Sequence, residues 1–68
     1  MKYKLKDEVD FKMVRKKSLM QFDFDLADYY DETTREFTFP QGYVAWHLMA
    51  EVFRDFLEPL DLVEKVNK

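Results

Sequence analysis

The chain lacks cysteine altogether and has one glycine, two prolines, one histidine and one serine in 68 residues. Without cysteine there is no disulfide and no thiolate metal site, so neither of the usual staples of a short chain is present. A lone histidine makes a poor zinc site, which takes three or four protein ligands. With one serine and one glycine there is no G-x-S-x-G turn for a nucleophile and no phosphate-cradling loop, and H-E-x-x-H does not occur. No apolar run reaches the roughly 18 residues of a membrane span, and the lysine-rich start lacks the apolar centre of a signal peptide. These absences predict a cytoplasmic protein that is not an enzyme and uses no cofactor and no metal.

Aromatic bulk and segregated charge stand against those absences. Seven Phe, four Tyr and one Trp make up 18% of the chain, and each can bury on the order of 150–250 Å². That weight compensates for a length at which only roughly 60% of the unfolded surface is buried, so residues 1–68 read as one small domain. The net charge of −3 hides two blocks: residues 1–17 carry +4 and residues 18–32 carry −5.

Tyr3 and Leu5 alternate with Lys2, Lys4 and Lys6, and Val9, Phe11 and Met13 alternate around Asp10 and Lys12. Period two predicts strands, with a helix over 8–17 as the competitor. Met20, Phe22, Phe24 and Leu26 against Gln21, Asp23 and Asp25 predict the clearest strand. A turn centred on residues 31–34 then pairs Tyr30 with Arg35, Asp28 with Phe37 and Leu26 with Phe39. Asp28 points into the apolar face in that register, which a bulge or a wider loop over 27–34 relieves. Pro40 ends the strand and Gln41-Gly42 bends into a helix from Tyr43 to about Glu58. Leu60, Val63 and Val66 recur every third residue, which predicts a short C-terminal helix after Pro59. The expected fold is therefore α+β: a small antiparallel β-meander of three or four strands on one long α-helix, with a short C-terminal helix.

The long helix is too apolar for so small a sheet. His47, Glu51, Arg54, Asp55 and Glu58 form one polar stripe, and the other eleven positions from Tyr43 to Leu57 are apolar. A sheet covers roughly Ala45, Met49, Val52, Phe53 and Phe56. The surplus flanks predict an interface through Tyr43, Trp46, Leu48, Ala50, Phe53 and Leu57, with fold-back of the C-terminal segment as the competing explanation.

Other constellations are weaker. The acidic run from Asp23 fails as a calcium loop, with Ala27, Asp28 and Thr34 where an oxygen ligand, glycine and a bidentate glutamate belong. Asp23, Asp25 and Glu36 could instead present an anionic strand face resembling nucleic acid. Lys2, Lys4, Lys6, Arg15, Lys16 and Lys17 could contact phosphates, guard a sheet edge, or face the acidic block across the sheet. His47 and Glu51 lie one helical turn apart, but the reading favours a plain polar face. The leading expectation is a small regulatory module, adaptor-like or inhibitor-like, that binds another protein and pairs with itself through the 43–57 helix. Nucleic-acid binding through the N-terminal cations is the alternative, and an acidic nucleic-acid mimic over 23–36 the third.

Overall fold

In the computed structural model, which describes residues 2–66, a four-stranded antiparallel sheet carries both helices on one face. β1 (Lys2–Leu5) leads to α1 (Phe11–Phe22), a 3-10 turn (Leu26–Tyr29), β2 (Tyr30–Asp31) and β3 (Glu36–Thr38). α2 (Tyr43–Val52) then runs directly into a π-helical turn (Phe53–Leu57) and ends in β4 (Val63–Lys65).

The strand order is β2-β3-β1-β4, so β1 is central rather than an edge, and only β2 and β3 form a hairpin. The expected meander is thus replaced by a sheet whose first strand pairs with two segments far along the chain. Tyr3 lies opposite Phe37 and Lys65, and Leu5 opposite Val63. By alternation, Tyr3 and Leu5 face the helices while Lys2 and Lys4 face solvent. The core gathers Leu5, Phe37, Phe39 and Val63 from the sheet side, Val14 from α1, and Met49, Val52, Phe53, Phe56 and Leu57 from α2 and its extension.

Two expected strands are one helix. Asp10 caps α1, its carboxylate accepting from Lys12 N at 3.0 Å. From Phe11 to Phe22 there is no glycine or proline and Val14 is the one β-branched residue, so intrinsic preference is helical throughout. Phe11, Val14, Ser18 and Phe22 share the inward face, whereas Met13 and Met20 are exposed. Asp23 ends the helix in the left-handed region at φ 54°, its N–H donating to Leu19 O at 3.2 Å. The buried Ser18 hydroxyl donates to Phe24 O at 2.7 Å and fastens the chain as it leaves.

The hairpin register moves by two residues from the expected one, which preserves the inward face: Tyr30 pairs with Phe37 and Asp31 with Glu36. Residues 26–29 form the 3-10 turn, which removes Asp28 from the sheet. The expected C-terminal helix is also overturned. Helical turns continue to Glu58, Asp61 reverses the chain at φ 59°, and Val63–Lys65 pair with β1. The π turn stands just before Pro59, which has no N–H to continue an α-ladder and whose ring clashes with a carbonyl one regular turn back.

Candidate protein-binding surfaces

α2 begins at Gly42, whose carbonyl accepts from Trp46 N at 2.8 Å, and its sequence divides cleanly between core and solvent. Met49, Val52, Phe53, Phe56 and Leu57 are buried, and Ala45 and Ala50 are partly buried. His47, Glu51, Arg54, Asp55 and Glu58 are exposed as their spacing predicts. Four large apolar side chains have no place in the core: Tyr43 is 77% exposed, Val44 71%, Leu48 41% and Trp46 37%.

Three of these four are expected interface residues, Tyr43, Trp46 and Leu48. The other three expected ones do not reach the surface as supposed. Phe53 and Leu57 are 2% and 0% exposed within the core, because the π turn and the return of β4 draw them inward, and Ala50 packs against the same core. Val44 belongs to the exposed group although it is not among the expected interface residues. Its helical angle, adjoining His47 and Glu51 on the polar stripe, is the signal that could have found it.

Aromatic contacts order this surface. The His47 ring stands between Tyr43, at a centroid distance of 4.5 Å, and Trp46, at 5.6 Å, both nearly perpendicular to it. Trp46 leans on Phe39 at 5.8 Å, which anchors the cluster to the sheet. Glu51 pairs with Arg54 at 3.8 Å rather than with His47, so the two do not form an acid–base pair.

The basic residues do not make one patch. Lys2 meets Glu36 at 3.7 Å and Lys4 meets Asp7 at 3.8 Å on the solvent face of the sheet, while Lys6 meets Asp61 at 2.8 Å. Arg15 lies on α1, across the sheet from Lys2 and Lys4, and holds Asp25 with two bonds of 2.8 and 2.9 Å. Lys16 and Lys17 are exposed on α1. Because β1 is central, its lysines guard no edge, and the expected pairing of Lys2, Lys4 and Lys6 with Asp23 and Asp25 does not occur. The anionic strand face dissolves as well: Asp23 is a helix cap, Asp25 caps the 3-10 turn, and Glu36 sits in β3 beside Lys2.

A second feature escapes the strand reading, which puts Met13 and Met20 on strand faces. Between α1 and the turn after α2 lies an open hollow of about 650 Å³, with Met13, Met20, Phe56 and Leu60 among its walls and Lys16 and Lys17 at its rim. Among the described residues no three carboxylate or imidazole groups converge as a metal site. No described helix is long and apolar enough to cross a membrane. Comparison with protein-family models, curated proteins and solved structures finds no match.

Proposed function

We propose that the chain is a small non-enzymatic protein-binding module, and that the outward side of α2's first two turns is a contact surface that pairs with a second copy. The observation that carries this reading is the exposure of Tyr43, Val44, Trp46 and Leu48 around a core that is complete without them. Surface apolar residues scattered singly need no explanation, but four on one helical segment, with two large aromatics among them, resemble the anchors of interfaces. The rings of Tyr43, His47 and Trp46 already touch. Little side-chain freedom is then lost on docking, which favours association.

A two-fold arrangement presents the same patch from each subunit. Sedimentation equilibrium of the wild type and of Val44→Asp tests it: the wild type is expected to shift from 8.4 kDa toward twice that mass with concentration, and the variant to remain monomeric. A wild type that stays at the monomer mass up to submillimolar concentration defeats self-pairing. Val44 is exposed, so the variant is expected to keep its fold and its circular dichroism spectrum.

A further inference from the structure

We infer that the hollow between α1 and the turn after α2 docks an acidic segment of a partner protein: an amphipathic helix whose large apolar residues enter the hollow while its carboxylates meet Lys16 and Lys17. This surface shares no residue with the α2 patch and does not depend on it.

Shape supports it. The hollow, about 650 Å³, has Phe56 as its floor and Met13, Met20 and Leu60 as walls, a size within the range of ligand clefts. Met20 is 76% exposed and Leu60 59%, so these walls are uncovered in the isolated chain. Methionine is unbranched and polarizable, and two of them allow the walls to fit different apolar side chains. A helix placed in such a groove reads as anchors at i, i+3, i+4 and i+7.

Charge decides the chemistry of the occupant. Lys2, Lys4, Lys6, Arg15 and Arg54 each have a carboxylate partner. Lys12, Lys16 and Lys17 have none within 4.0 Å among the described residues. The one acid lining the hollow, Asp55, is held by Arg54 in two bonds of 2.8 and 3.0 Å, so it does little to offset them. A second hollow of about 600 Å³ flanks the other side of α1 and shares Lys16 and Met20 with the first. Lys16 and Lys17 therefore put unpaired positive charge beside apolar ground, complementary to a segment with acidic and apolar sides. The concavity favours a protein helix over a lipid surface, which takes a projecting apolar face. The floor ring, Phe56, is 5% exposed and offers no platform for stacking a base, which disfavours single-stranded nucleic acid.

The test is selection of random peptides displayed on phage against the full chain, followed by titration of the enriched peptides. Enrichment of sequences in which Asp and Glu flank Leu, Phe or Trp is expected, with perturbation of the Met13 and Met20 methyl resonances. The double change Lys16→Glu and Lys17→Glu is expected to weaken binding on the order of tenfold or more, and Val44→Asp to leave it unchanged. Both lysines are exposed and unpaired, so the double variant is expected to melt like the wild type. No enrichment, enriched peptides without acidic residues, or methyl shifts confined to α2 would overturn the proposal. So would tighter binding of phosphatidylserine vesicles or of a single-stranded oligonucleotide than of any enriched peptide, or closure of the hollow by a second copy of the chain. A wild type that binds the peptides but never self-associates refutes only the α2 reading.

Discussion

Arg35 occupies the left-handed region at φ 61°, the last position of the hairpin loop, where glycine would sit without strain. Its own side chain explains the choice: one guanidinium nitrogen donates to the carbonyls of Lys6 and Val9, the latter at 2.8 Å, and so ties the β1–α1 connection to the hairpin. Arg35→Ala is expected to destabilise by about 2 kcal/mol, since two carbonyls lose a charged donor while the backbone strain stays. Arg35→Gly recovers part of that by relieving the strain, and urea unfolding of the two variants checks the order. Asp25 gives a second test at this scale. The Arg15 guanidinium, and then the Ala27 N–H, hold its carboxyl down at about 2, below its ordinary 3.8. A folded-state value lowered in this way contributes stability that is complete above the unfolded value and is lost as pH falls through the folded one. The wild type is therefore expected to melt above Asp25→Asn near neutral pH, with the gap closing from about pH 4 to about pH 2. The asparagine keeps an oxygen for the Ala27 N–H, so the gap reports the Arg15 pair. A gap independent of pH would remove the ion pair from the account.

Gly42 shows what the element scale makes legible. Pro40 and Gly42 punctuate the sequence, and the end of β3 and the start of α2 follow them. Gly42 has φ −69°, which any residue adopts, and a Cβ there meets nothing within 4 Å. The helix has no side-chain cap and no acid in its first turn. Gly42→Asp is therefore expected to stabilise by about 0.5–1 kcal/mol, through the cap, the helix dipole and a less flexible unfolded chain. A lower melting temperature in this variant would show that the loop needs glycine for a reason outside the helix start. The same punctuation is missing between Val9 and Leu26, where the strand reading failed. Met20, Phe22, Phe24 and Leu26 alternate, but the alternation straddles a helix end: Phe22 closes α1, and Phe24 and Leu26 lie beyond its left-handed cap. Asp10 as a helix cap was the local signal available. β4 was hidden for another reason, since three residues carry no period and their pairing with β1 is decided more than fifty positions away.

At the scale of the whole molecule, the sheet order explains why the flank of α2 was misjudged. A meander on one helix leaves Leu57 uncovered. With α1 beside α2 and β4 returned to the central strand, it is enclosed, and the surplus shrinks to the first two turns of α2. The radius of gyration, 10.9 Å, equals the roughly 11 Å expected of a compact chain of this length. A single copy thus closes its own core, and pairing adds to a fold that already exists. The enclosed and the exposed apolar residues of this segment should then separate in one experiment. Leu57→Asp buries an unpaired charge at a position with no exposure and is expected to unfold the chain at every concentration. Val44→Asp is expected to give a folded monomer. If copies pair through α2, the wild-type melting temperature rises with protein concentration by mass action, and that of Val44→Asp does not. Thermal melts across a hundredfold range of concentration check all three outcomes. A wild-type curve that does not move with concentration would mean that Tyr43, Val44, Trp46 and Leu48 await a partner other than the chain itself, and a folded Leu57→Asp would mean that the core is not closed as described.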